Sequence, residues 1–197
     1  MDSIAICCQF RYHEPIEPLL ALYPESERLQ AMCTQHEDGR TILHLAANCG
    51  DPESIKVILS FCPESQRMRV VSMVDEDGET VLHYVARSRK PESAVTILQS
   101  LPESQRWQLV SLQDEQGNTA LHYAAYSNCH EWIVSVLALL PESQRKLAVT
   151  IQNGQGKTVL QCVNLTDTGL ESIMAWLPRS ENAGALEQVE DVQIDGR

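Results

Sequence analysis

Apolar residues recur along the chain at i, i+3, i+4 and i+7. The sets are Ile16, Leu19, Leu20 and Tyr23; Ile55, Ile58, Leu59 and Cys62; Ala94, Ile97, Leu98 and Leu101; and Ile133, Val136, Leu137 and Leu140. That spacing puts four side chains on one face of a helix. Successive sets stand 39 residues apart. A fifth, Leu170, Ile173, Met174 and Leu177, keeps the spacing from a shifted start. The pattern predicts one amphipathic helix repeated down the chain. A fixed period of this length predicts supersecondary units stacked into a solenoid, each too small to bury its apolar face alone.

Two further phrases run in register with these sets. Thr41-Ile42-Leu43-His44-Leu45-Ala46-Ala47 returns as Thr80-Val81-Leu82-His83-Tyr84-Val85-Ala86 and as Thr119-Ala120-Leu121-His122-Tyr123-Ala124-Ala125. A worn copy reads Thr158-Val159-Leu160-Gln161-Cys162-Val163. This phrase predicts a first helix in each unit, over about Thr41 to Cys49 in the second. Thr stands at its start, where a side-chain oxygen can satisfy a free backbone N–H. Ala46 and Ala47 are small enough to let the next unit approach closely. The amphipathic helix follows from Pro52 to Phe61, with proline in its first turn, where a missing N–H does no harm.

The second phrase is Pro24-Glu25-Ser26-Glu27-Arg28, then Pro63-Glu64-Ser65-Gln66-Arg67, Pro102-Glu103-Ser104-Gln105-Arg106 and Pro141-Glu142-Ser143-Gln144-Arg145. It predicts a short third helix. Proline ends the helix before it and can open the next. Glu64 then lies in a first turn, where the helix dipole favours negative charge. Glu64 and Arg67 stand at i, i+3, the spacing of a surface ion pair. Met68 with Val71, Leu29 with Met32 and Trp107 with Val110 supply an apolar edge. Each unit closes on a turn: His36-Glu37-Asp38-Gly39, Asp75-Glu76-Asp77-Gly78, Asp114-Glu115-Gln116-Gly117 and Asn153-Gly154-Gln155-Gly156. Glycine there supplies a positive φ, and Asp or Asn suits the start of a tight turn.

The expected organisation is one domain over residues 1–178, with units at about 1–36, 37–75, 76–114, 115–153 and 154–178. Ile4, Cys7 and Cys8 take the places of Leu43, Ala46 and Ala47, so the first unit has an eroded Thr phrase. Outer units of a solenoid face water on one side and are expected to be atypical. Residues 179–197, with Glu181, Glu187, Glu190, Asp191 and Asp195, are polar and acidic and read as a disordered tail.

Composition narrows the function classes. The 197 residues carry a formal charge of −12, and the basic residues do not cluster, which argues against nucleic acid as a partner. Apolar content of 43% supports a core, and aromatic content of 5% makes that core aliphatic. The seven cysteines are odd in number and form no Cys-x-x-Cys, so reduced thiols of a cytoplasmic protein are expected in place of a disulfide framework or a zinc site. The N-terminal Met1-Asp2-Ser3-Ile4 lacks the features of a signal peptide. No apolar run reaches the ~20 residues that span a bilayer.

Candidate chemistry is thin. His44, His83 and His122 form a row that could suggest metal or catalysis, but one histidine per unit at fixed spacing is what a structural role requires. Cys129-His130-Glu131 places a thiol beside a base. Neighbours on a helix seldom face each other, and no orienting group or oxyanion motif accompanies them. Neither catalytic residues nor cofactors are expected. Tyr84 and Tyr123 are expected between helices, Trp107 and Trp132 partly buried, and Tyr126 exposed as an aromatic anchor.

Asp75-x-x-Gly78-x-Thr80-x-Leu82-His83-x-x-Ala86 and Asp114-x-x-Gly117-x-Thr119-x-Leu121-His122-x-Ala124-Ala125 resemble ankyrin repeats. The unit is longer than the family's usual 33 residues by the Pro-Glu-Ser segment. Ile42, Val81, Ala120 and Val159 replace the proline that usually follows Thr. Gly50 keeps the glycine that ends the first helix, while Arg89, Asn128 and Asp167 replace it elsewhere, and a distorted loop is expected at Arg89. The resemblance implies an all-α solenoid of about five units, each a helix-turn-helix plus a short third helix, joined by hairpin-like turns. It implies a non-catalytic scaffold that binds a partner protein on its concave face, with the histidines bonded to neighbouring turns. Carried over by position, the contact residues are Asp38 and Arg40, Asp77 and Glu79, Gln116 and Asn118, and Gln155 and Lys157 at the tips. Asn48, Arg87, Tyr126 and Leu165 follow from the first helices. Acidic Glu76, Asp77 and Glu79 point to a basic partner, bound by a monomer. The extended units and acidic tail are similar to ankyrin effectors that intracellular bacteria deliver into host cytoplasm. A different reading makes the array the targeting part of a larger enzyme.

Overall fold

The computed structural model describes residues 16–163 and 169–177. The eroded Thr phrase around Ile4, Cys7 and Cys8, the tail over 179–197, Leu165 and Asp167 lie outside the described residues.

Among those residues the chain forms thirteen helices. They are α1 Ile16–Ala21, α2 Glu25–Cys33, α3 Ile42–Cys49, α4 Pro52–Ser60, α5 Glu64–Val71, α6 Val81–Ser88, α7 Pro91–Gln99, α8 Glu103–Val110, α9 Ala120–Tyr126, α10 His130–Ala138, α11 Glu142–Thr150, α12 Val159–Cys162 and α13 Gly169–Met174. The trio α3–α5 repeats as α6–α8 and α9–α11. Like packs on like: α3 on α6, α6 on α9 and α9 on α12; α1 on α4, α4 on α7, α7 on α10 and α10 on α13; α5 on α8. The architecture is an all-α solenoid.

The period of the apolar residues sets the core. Ile55, Ile58, Ile97, Leu98, Ile133, Val136 and Leu137 of the amphipathic helices are buried. Ala46, Ala47, Ala86, Ala124 and Ala125 are fully buried where first helices meet. The third helices bury a wider edge than i, i+3 spacing predicts. Val70 and Val71, Leu109 and Val110, and Ala148 and Val149 are buried, while Met68 and Trp107 are only partly covered. Trp132 is fully buried, where the sequence suggested partial burial.

The arginine of the Pro-Glu-Ser phrase does not form the expected i, i+3 pair with glutamate. Its guanidinium turns to the C-terminal carbonyls of the preceding helix. Arg28 Nε donates to Tyr23 O at 3.0 Å, Arg106 Nε to Leu98 O at 3.1 Å, and Arg145 Nε to Leu137 O at 3.0 Å and Leu140 O at 3.1 Å. Arg67 and Arg106 also reach the next unit, donating to Ser100 O and Leu139 O at 3.2 Å each. A planar fork of donors at the negative end of a helix is favoured over a solvated ion pair because it satisfies carbonyls the helix leaves open.

The loop after α6 is not distorted. Arg89 takes φ 60°, ψ 31°, next to φ 62°, ψ 33° at Gly50. Neighbouring units hold the backbone path, and Arg89 adopts a left-handed conformation that glycine accepts without strain.

Candidate functional site: the row of hairpin tips

The turns that start at Asp75, Asp114 and Asn153 are each built by that residue. Asp75 Oδ1 accepts from the Asp77 and Glu79 N–H groups at 3.0 and 2.9 Å. Asp114 Oδ1 accepts from Gln116 and Asn118 at 2.9 and 2.8 Å, and Asn153 Oδ1 from Gln155 and Lys157 at 3.0 and 3.1 Å. The hairpins stack through the backbone: Glu76 N–H donates to Asp38 O, Glu115 N–H to Asp77 O, and Gly154 N–H to Gln116 O. Gly117 serves both purposes. Its φ is 76°, and a Cβ there would lie 2.6 Å from Gly154 N.

The histidines tie helices to tips. His83 Nδ1 accepts from the Thr80 N–H at 3.0 Å, closing a capping box, and Nε2 donates to Asn118 O at 3.1 Å in the next unit. His44 and His122 repeat this on Glu79 O and Lys157 O, at 3.2 and 3.1 Å. A ring whose Nδ1 accepts must be neutral. Burial pushes the His44 imidazole down to about 4 and depresses His83 and His122 as well.

A layer of tyrosines lies beside the tips. Tyr84 donates its hydroxyl to Asp75 Oδ2 at 2.6 Å, and Tyr123 to Asp114 Oδ2 at 2.7 Å. Both carboxylates are buried. Burial and the neighbouring carboxylate raise both phenols, Tyr123 to about 12. The Arg87 guanidinium lies between the two rings, 5.1 Å from the Tyr84 centroid and 5.0 Å from Tyr123, and pairs with the Glu79 carboxylate.

The sequence placed Glu79 at an exposed tip, but the residue is 4% exposed. Arg87 folds back over it, so the two form a locally neutral unit in which only the arginine side chain reaches solvent, at 45%. Arg40 likewise donates Nε to Asp38 Oδ2 at 2.6 Å, and this contact holds the Asp38 carboxyl below its usual range. Asn153 Nδ2 donates to Asn118 Oδ1 and to the Tyr126 hydroxyl, each at 2.9 Å. Tyr126 is 50% exposed, as an anchor requires. Asn48, Asp77, Gln116, Gln155 and Lys157 are exposed. The structure thus joins two first-helix positions to the row of tips, Arg87 through Glu79 and Tyr126 through Asn153. Sequence reasoning missed the support beneath it, namely Asp75 with Tyr84, Asp114 with Tyr123, and Asn153. The signal was an Asp and a Tyr nine residues apart in two successive units.

Among the described residues no group of three His, Cys, Asp or Glu side chains could hold a metal ion. No described helix is long and apolar enough to cross a membrane.

A family model for ankyrin repeats (3 copies) matches residues 4–104 and 71–146, which together span well over half of the sequence. The chain belongs to the ankyrin-repeat family. Ankyrin repeats are generally protein–protein interaction modules, and the family is typically non-catalytic. No curated protein matches the sequence significantly.

Proposed function

We propose that the chain is a scaffold that binds a partner protein across its hairpin tips and first-helix ends. The observation that carries this reading is the division of labour within a unit. In the turns and first helices, the Thr, His and Leu repeated between units are buried in the stack. At 48, 77, 116, 126 and 157 the chain instead varies its residue and exposes it. Asp75, Asp114, Asn153 and the histidines lock the backbone beneath those positions, so little conformational entropy is lost on binding. Tyr126 is the aromatic anchor, and Asn48, Gln116 and Asn118 provide hydrogen-bonding groups. Exposed Glu76, Asp77 and Glu115 favour a basic partner surface, which electrostatic attraction would also steer into place. The protein acts as a monomer in a reducing cytoplasm. The observation behind that location is that the described cysteines form no disulfide.

The test is capture of a partner by wild type and by a variant carrying Asn48→Ala, Asp77→Ala, Gln116→Ala and Tyr126→Ala together. All four residues are exposed, so the melting temperature is expected to hold while the partner is lost. A partner retained by the folded variant would move the binding site off this face.

A further inference from the structure

We propose that the tip row binds an extended segment of its partner in one fixed polarity. Cationic side chains lie over the second and third hairpins, and a carboxylate lies at Lys157. This rests on the tip row being the binding face, as argued above, and specifies the chemistry it selects.

The structure changes the charge pattern that the sequence suggests. Read as letters, the tips mix acids with Arg40 and Lys157, and Arg87 adds a cation at their base. In the fold, Arg40 is held by Asp38, and Arg87 is held by Glu79 between two tyrosine rings. Both cations are neutralised where they stand. The outer positions that remain exposed are Glu37, Glu76, Asp77 and Glu115, then Gln116, then Gln155 and Lys157. Backbone hydrogen bonds from Glu76 to Asp38, Glu115 to Asp77 and Gly154 to Gln116 fix the hairpins in that spatial order. The face therefore runs from negative over the first three hairpins to positive at the fourth. Tyr126 and the amides of Asn118 and Gln116 lie near the point where the sign changes.

A uniformly basic surface would be attracted to one end of this row and repelled at the other. A segment with cations at one end and a carboxylate at the other matches both. Stacked helices sit about 10 Å apart, so the second and fourth hairpins are separated by roughly 20 Å. About six residues of extended chain span that distance. The amides and Tyr126 between the charged ends suit the peptide groups and side chains of such a segment.

The test uses the full chain and two fluorescein-labelled twelve-residue peptides at low ionic strength, read by anisotropy. One peptide carries two arginines and, six residues on, a glutamate. The other has lysine in place of that glutamate. Wild type is expected to bind the glutamate peptide more tightly, by roughly two- to fivefold, the range of one exposed ion pair. The lysine peptide carries the greater charge opposite to the protein's, so net attraction alone predicts the reverse order. Lys157→Glu is expected to reverse the wild-type preference.

If the lysine peptide binds wild type equally or better, or Lys157→Glu leaves the ratio unchanged, the polarity is wrong. Asp77→Lys and Tyr126→Ala separate that failure from a failure of the tip row itself. If either weakens binding while the ratio stays at one, the tip row stands and only the polarity falls. If neither matters, or neither peptide binds, both are overturned.

Discussion

At the scale of single residues, Arg89 and the three stacking histidines carry the sharpest consequences. Arg89 occupies a left-handed conformation, which costs a non-glycine residue about 1–2 kcal/mol. Arg89→Gly removes that strain but loosens the unfolded chain, so a net gain of about 0.5–1 kcal/mol is expected. For a chain of this size that raises the melting temperature by about 1–4 °C. An unchanged or lower melting point would show that the guanidinium contributes something the backbone does not reveal. The histidines give a pH dependence of definite sign. Their folded pKa values lie below the unfolded 6.5, so between that value and the folded pKa the unfolded chain binds protons the folded one does not. Stability therefore rises with pH in that window and falls as the solution is acidified from about 6.5 toward 4. Each histidine contributes up to about 1.4 kcal/mol per pH unit. Gln161 shows how to isolate one of them, since its Oε1 accepts from the Thr158 N–H at 2.9 Å and closes the same cap. His83→Gln is expected to lose about 0.5–1.5 kcal/mol at pH 7 with the bond to Asn118 O. It should also flatten the acid limb, as urea unfolding at pH 7 and pH 5 would show.

At the scale of elements, the third helix distinguishes this array, and its arginine is the element's working part. Arg106 caps α7 and reaches the carbonyl end of α10. Arg106→Met keeps much of the apolar stem but strips those carbonyls of their donor. About 1–2 kcal/mol should be lost in a urea titration. Lysine should not rescue it, because a single ammonium cannot reproduce the fork. Full recovery by Arg106→Lys would mean that charge near the helix end is enough. The first helices answer to size. Ala86 is fully buried, with α6 packed on both α3 and α9, so Ala86→Leu should destabilise by roughly 1–3 kcal/mol through overpacking. The element types were legible in the sequence because each is specified locally: a Thr cap, a proline stop, a 3.6-residue period. The arginine's partner was not. Its carbonyls lie in neighbouring helices, up to 33 residues away, and local spacing offers Glu64 in their place. Glu79 was misplaced for a similar reason, since its exposure depends on Arg87 folding back from the next helix.

At the scale of the molecule, the 39-residue period made the array and the row of variable tips legible. What stayed hidden was the network that converts a row of letters into a graded surface. Buried Asp75 and Asp114 hold Tyr84 and Tyr123, and those rings in turn hold Arg87. The contact of Arg87 with Tyr123 crosses from one unit to the next. The same nearest-neighbour construction predicts how the array comes apart. In a solenoid each unit is stabilised by its own core and its two interfaces, so loss should begin at the weaker end. Among the described first helices the C-terminal one is the shortest: α12 spans four residues where α6 spans eight. Amide exchange should be fastest over α12 and α13 and slowest over α6 to α9. His122→Gln keeps the cap on α9 and removes the bond to Lys157 O. It should raise exchange over residues 158–163 and 169–174 while leaving α3 and α4 nearly unchanged. Because Lys157 sits at that junction, the cationic end of the tip row would loosen before the acidic end. A uniform rise in exchange across all helices would instead show that the array unfolds as one cooperative body, with its two ends of the binding face rigidly coupled.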